Sequence, residues 1–192
     1  MLSKLGHSIK RRKTANDVIF TPLDVAQLMI NMCELQQGMT VLDPCAGSNK
    51  VFYNNLPDCV SKDYCEIEEG KNFFEYDKCV DCIIGNPPYS LWDKWLEKTM
   101  SLTNKFCYIF GFLNMTDKRI GQILDNGFGM TKIHLLQVKW WFGRSFIAVF
   151  EKNKQSIMTV SQNPICCDVC HEKCQRGLRG NSPNLCTKVN TK

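Results

Sequence analysis

Residues 81–90 read Asp-Cys-Ile-Ile-Gly-Asn-Pro-Pro-Tyr-Ser, an apolar strand that runs directly into two prolines. Proline lacks the backbone N–H that a central strand or a helix interior needs, and it pushes the preceding residue out of the helical region. The strand must therefore end at Asn86, with the carbonyls that follow held rigidly outward. In open α/β sheets ligands bind beyond the carboxyl ends of the strands. Rigid acceptors there, the Asn86 side-chain oxygen and the Pro87 carbonyl, suit an amine whose hydrogens they can accept. Pro88 stiffens the turn, and Tyr89 adds an aromatic surface. A plain strand-ending turn with a packed tyrosine is the competing reading.

A second motif lies upstream. Thr40 to Ser48 reads as a strand that closes on Asp43 and enters the small-residue turn Pro44-Cys45-Ala46-Gly47 before the next helix. Small residues at such a crossing let a nucleoside or amino-acid ligand approach the backbone closely. The Gly-x-Gly-x-x-Gly spacing of a dinucleotide site is absent, which disfavours a pyrophosphate cofactor. About 20 residues further on, where such sites place an acid for ribose hydroxyls, the chain offers Asp63 and Glu66; Glu66 is the preferred candidate.

Between these motifs short apolar runs alternate with helical patterns, the signature of a mostly parallel sheet with crossover helices. Strands are expected at 39–43, 60–67, 80–85, 106–113, 130–138 and 145–151, and helices at 22–33, 50–54, 91–103 and 117–126. The last two strands are joined so briefly that they should pair antiparallel. Trp92 and Trp95, three apart on one helical face, read as core residues. The catalytic domain is expected over 18–151. A basic arm (1–17) precedes it, and a polar linker (152–163) and a Cys-rich module (164–192) follow it.

Net charge is +5, but residues 1–13 carry five basic residues and no acid, residues 152–192 carry seven against two, and the middle sums to −5. Two basic ends on an acidic body suit contact with a phosphate backbone, though solvated tails would look the same. Of the twelve cysteines, seven lie singly between Cys33 and Cys107 and read as small buried hydrophobes of a reducing compartment. No run of apolar residues is long enough to span a membrane, and a soluble, cytoplasmic protein is expected.

Taken together, these motifs resemble the class I adenine-amino methyltransferases, whose signature is Asp/Asn-Pro-Pro-Tyr. The resemblance covers residues 18–151. It implies a Rossmann-like class I methyltransferase fold, with a mostly parallel seven-stranded sheet ending in an antiparallel hairpin, and S-adenosylmethionine as cofactor. Phe20-Thr21-Pro22 resembles the family's N-terminal cofactor motif, Asp43 to Gly47 its methionine-binding loop, and Glu66 its ribose acid. Asn72-Phe73 resembles the segment beside the cofactor adenine, where Asn72 replaces a familiar aspartate. Asn86-Pro87-Pro88-Tyr89 matches the catalytic motif without departure, whereas Ser48 stands where the family more often has glycine.

The link Trp140-Trp141-Phe142-Gly143-Arg144 places aromatics beside a cation and is a candidate substrate grip; an amphipathic core strand is the equal alternative. In the C-terminal cluster Cys167, Cys170, Cys174 and Cys186, with His171 nearby, could hold a structural zinc ion. The expected substrate is adenine in nucleic acid, DNA favoured over RNA, read either by the hairpin and Cys-rich module or by a protein partner. Methylation of RNA adenine, methylation of a protein glutamine amide and a non-catalytic nucleic-acid-binding module are the alternatives.

Overall fold

Five successive residues, Phe106–Phe110, are buried along β4 (Lys105–Gly111), which marks this strand as central to the sheet. It has partners on both edges: β3 (Cys82–Gly85) runs parallel to it and β6 (Ser145–Lys152) antiparallel. With β1 (Thr40–Asp43), β2 (Ser61–Tyr64) and β5 (Phe128–Leu136) the sheet has the order β2-β1-β3-β4-β6-β5, β1 running parallel to both β2 and β3. The final strand, β5, pairs antiparallel with β6 across a bulge between Met130 and Lys132. The computed structural model describes residues 19–139, 141 and 143–160.

Helices cover both faces. On one face α1 (Leu23–Met32) buries Ala26, Met29 and Ile30, and the short α2 (Val51–Asn55) buries Phe52. These meet Val41, Cys82, Cys107 and Ile147 of the sheet. On the other face lie α3 (Trp92–Leu102) and α4 (Asp117–Asp125). Along α3, Trp92, Trp95, Leu96, Thr99 and Leu102 fall on one helical face and are buried, so both tryptophans are core residues. Trp92 stacks on Phe110 at 4.4 Å; removing such a buried ring costs about 3–5 kcal/mol. The Thr116 hydroxyl accepts from Arg119 N to cap α4, which ends before Gly127 in the left-handed region (φ +81°).

The expected alternation of strands and helices is present, with strand ends differing by no more than three residues. The sheet among the described residues has six strands, not the seven the resemblance implied. Between β2 and β3 the chain forms 3-10 turns at Ile67–Glu69 and Phe73–Glu75. Their cause is local: the Glu66 carboxylate accepts from Glu68 N and the Asn72 amide oxygen from Phe74 N, so the backbone folds onto side chains rather than onto a neighbouring strand. Two cysteines also depart from the expected burial. Cys59 and Cys79 are exposed, because both sit in connecting segments rather than on strands.

Beyond β6 the chain returns to the sheet edge before Val160. The Ser156 hydroxyl accepts from Met130 N, Ile157 N donates to Met130 O, and Met158 and Val160 pack on the core. Gly129 allows this passage, since a Cβ there would collide with the Lys154 carbonyl. The expected linker thus starts as part of the first structural unit, which extends through Val160. The basic arm and the Cys-rich module, including Cys167, Cys170, His171, Cys174 and Cys186, lie outside the described residues, as do Trp140 and Phe142. Among the described residues no helix is long and apolar enough to cross a membrane.

Candidate active site

The carboxyl ends of β1, β2 and β3 bring the two motifs together. Asp43, the last residue of β1, is buried; its Oδ1 accepts from Cys45 N and its Oδ2 from Tyr53 N, both at 3.3 Å. It braces the following turn from within. Burial pushes its carboxyl up to about 7, against the two N–H groups that favour the anion and with the Glu66 charge adding to the rise. Pro44 and Ala46 are buried in the turn, and Gly47 adopts φ +64°, a conformation glycine takes without strain.

Glu66 reaches this turn from just beyond β2. Its Oε2 accepts from Gly47 N at 2.6 Å while Oε1 accepts from Glu68 N at 3.1 Å. Backbone bonds reinforce the junction: Cys65 N donates to Asp43 O and Ala46 N to Cys65 O. Of the two acids weighed for a ribose, Glu66 is the one at the turn. Asp63 accepts instead from the Tyr76 hydroxyl. Ile67, immediately after Glu66, is 70% exposed and offers an apolar surface beside the acid. An apolar residue directly following the acid was its one sequence signal.

Asn72 and Phe73 serve local structure in the described fold. The Asn72 amide caps the 3-10 turn and donates to Glu75 Oε1, while Phe73 is buried and stacks on Trp95 at 4.5 Å. Gly85 closes β3 against the β1 turn so tightly that an added Cβ would lie 2.9 Å from Pro44 Cδ. The sulfhydryl of Cys45 donates to the Asn86 carbonyl at 3.3 Å. Burial pushes that thiol well above its usual range, so it is a proton donor and not a thiolate.

Asn86 is the centre of the arrangement. Its Nδ2 donates to Ile19 O at 3.4 Å and to Thr21 Oγ1 at 3.3 Å. A backbone carbonyl accepts but cannot donate, so it is the nitrogen of the amide that must face Ile19. The oxygen, Oδ1, is buried and has no hydrogen-bond partner. Thr21 is buried, whereas Phe20 beside it is 53% exposed and Pro22 caps α1. Pro87 is buried and Pro88 and Tyr89 half-buried, with Tyr89 stacked on Trp92 at 6.0 Å and 17°.

On the hairpin side, Trp141 packs against the apolar cluster on the α1 face, and Arg144 is exposed with its carbonyl accepting from Phe112 N. Trp141 is half-buried against that cluster. Among the described residues no group of His, Cys, Asp or Glu is arranged to hold a metal ion.

The layered, mostly parallel sheet with an antiparallel end, carrying its motifs at the strand carboxyl ends, is the Rossmann-like methyltransferase fold. It superposes on precorrin-6y C5,15-methyltransferase of Geobacter metallireducens with a TM-score of 0.54, at 14% identity over 72% of this chain and 92% of that one. A Pyrococcus horikoshii protein provisionally assigned as an RNA methyltransferase gives a TM-score of 0.50, at 15% identity over 79% of this chain and 99% of that one. At these identities the likeness is one of fold. Residues 5–64 match the N-6 DNA Methylase family. No curated protein matches the chain in sequence.

Proposed function

We propose that the protein transfers the methyl group of S-adenosylmethionine to the exocyclic amino group of adenine in nucleic acid, with DNA the favoured polymer. One observation carries this reading: the buried, unpartnered Oδ1 of Asn86 at the carboxyl end of β3. A buried acceptor without a partner costs about 1–3 kcal/mol, so its place is explained if a ligand N–H completes it.

The residues fit the cofactor. The Gly47 N–H, which a phosphate would seek, already binds the Glu66 carboxylate, so an anionic pyrophosphate is repelled while ribose hydroxyls can donate to the acid's remaining lone pairs. The Asp43–Gly47 turn, Glu66 and the exposed face of Ile67 would hold it, with Phe20 and Pro22 flanking. When bound, S-adenosylmethionine supplies an electrophilic methyl group. An aromatic amine is a poor nucleophile because its lone pair is delocalised into the ring. Asn86 Oδ1 and the Pro87 carbonyl would each accept one amine hydrogen, raising electron density on nitrogen and fixing its orientation. Tyr89, held by Trp92, would stack on a base extruded from the helix.

The test is incubation with labelled S-adenosylmethionine and, separately, duplex DNA, single-stranded DNA, RNA and a glutamine-containing peptide, followed by identification of the modified unit. N6-methyladenine in DNA is the expected product. Label in RNA alone or in the peptide would move the assignment to that substrate, and label in none of them would remove it.

A further inference from the structure

We infer that Thr21 is a positioning residue for Asn86: its hydroxyl oxygen, with the Ile19 carbonyl, fixes the Asn86 amide so that Oδ1 and not Nδ2 faces the reacting amine. This rests on the reading of Asn86 given above and assigns Thr21 a task other than cofactor contact.

An asparagine amide is nearly symmetric in shape, and its two ends have opposite chemistry. Turned one way it accepts a hydrogen from an amine; turned the other way it presents N–H donors that repel the amine and compete for its lone pair. The Asn-Pro-Pro backbone places the side chain but does not choose between these orientations. The choice is made by the segment preceding α1, which arrives 65 residues earlier in the chain. Ile19 O, at 3.4 Å, accepts only, and Thr21 Oγ1, at 3.3 Å, accepts the second Nδ2 hydrogen. Both hydrogens on Nδ2 are thereby used, leaving Oδ1 buried and unpartnered. Thr21 is 6% exposed, so bulk water does not replace it. The Cys45 sulfhydryl holds the carbonyl of the same residue at 3.3 Å, so rotation of the amide is the freedom that Thr21 removes.

The experiment compares wild type with Thr21→Val, Thr21→Ser and Asn86→Ala. It measures turnover on adenine-containing single-stranded DNA, S-adenosylmethionine affinity by calorimetry, and exchange protection of the Asn86 side-chain amide protons by NMR in the ligand-free protein. Valine matches threonine in shape and lacks the acceptor. Thr21→Val should lower kcat about tenfold, the loss of one hydrogen bond's orienting effect. It should change cofactor Kd by less than about twofold and expose the Asn86 amide protons to faster exchange; Thr21→Ser should restore both kcat and protection. Wild-type kcat in Thr21→Val while Asn86→Ala is inactive would overturn the inference. So would a loss of cofactor affinity that accounts for the whole defect. If wild type gives no product on DNA, or Asn86→Ala turns over normally, the functional reading fails instead. The exchange data then still decide whether Thr21 fixes the amide.

Discussion

The two loops that meet at the carboxyl end of the sheet treat their polar atoms in opposite ways. After β1, both Asp43 oxygens and both Glu66 oxygens accept from backbone N–H groups: Cys45 and Gly47 in the loop, Tyr53 in α2 and Glu68 beyond β2. After β3, the donors of the Asn86 amide are taken and its acceptor is left open. The first loop is thus complete as folded, a scaffold whose shape does not wait for a ligand. The second keeps an unsatisfied group in a buried place, a cost that only a bound donor relieves. The contrast separates a surface that holds from a group that acts.

The largest expected effect breaks that contrast at its open side. Asn86→Ala should lower kcat about 10²–10³-fold, as removal of a preorganised transition-state hydrogen-bonding group does, with cofactor Kd nearly unchanged. Single-turnover rates alongside calorimetry read both. A Kd that weakens in step with the rate would mean that Asn86 belongs to the holding surface.

On the closed side, Asp43→Asn turns one acceptor into a donor facing a backbone N–H, at a cost of about 1–3 kcal/mol in stability. The wild-type carboxyl rises to about 7 in the folded protein from an ordinary 3.8. Between those values the folded chain binds a proton that the unfolded chain releases. Its contribution to stability is therefore full below the ordinary value and is lost as pH rises through about 7. Denaturation midpoints measured across that window should fall with pH in wild type relative to Asp43→Asn. Parallel profiles would place the Asp43 proton outside the folding equilibrium.

Much of this was legible in the sequence because the decisive signals were local. Pro87 and Pro88 terminate β3 by their own covalent geometry, and the tryptophans at 92 and 95 mark the buried face of α3. The acids near the end of the second strand could be narrowed to Asp63 and Glu66, with Glu66 the preferred one. What was not legible depends on long-range partners or on main-chain atoms. The Ile19 carbonyl that orients Asn86 carries no residue-type signature, and Thr21 offers a hydroxyl that suits several roles. The 3-10 turns that stand between β2 and β3 follow from side chains capping their own backbone, an option that Glu66 and Asn72 do not advertise. The packing of Trp141 against the cluster of Leu136 and the α1 face depends on residues far away in the chain.

Gly85 lies where the two loops touch, and it sharpens the comparison by testing their independence. An alanine Cβ would sit 2.9 Å from Pro44 Cδ and 3.6 Å from Asp43 Oδ1, and a proline ring gives little. The overpacking should cost about 1–3 kcal/mol and push the holding surface away from Asn86. Cofactor affinity and turnover should then fall together in Gly85→Ala. A variant that melts earlier yet keeps both constants would show that the two loops act without reference to each other.

The smallest effect concerns Tyr89, whose place in the comparison is set by its ring face. Its ring continues a stack from the core, with Phe110 on Trp92 at 4.4 Å and Trp92 on Tyr89 at 6.0 Å. If the tyrosine works as a platform whose plane is set by this stack, Tyr89→Phe preserves the plane and loses no more than a hydroxyl contact, about 1 kcal/mol or less. Tyr89→Ala removes the face itself, about 1–3 kcal/mol per stacked base. The gap between the two variants should be wider on duplex DNA than on single-stranded DNA, because only the duplex requires a base to leave its stack. Turnover of both variants on matched duplex and single-stranded oligonucleotides measures this. Equal losses in Phe and Ala would assign the function of Tyr89 to its hydroxyl, and the same gap on both substrates would separate stacking from base extrusion.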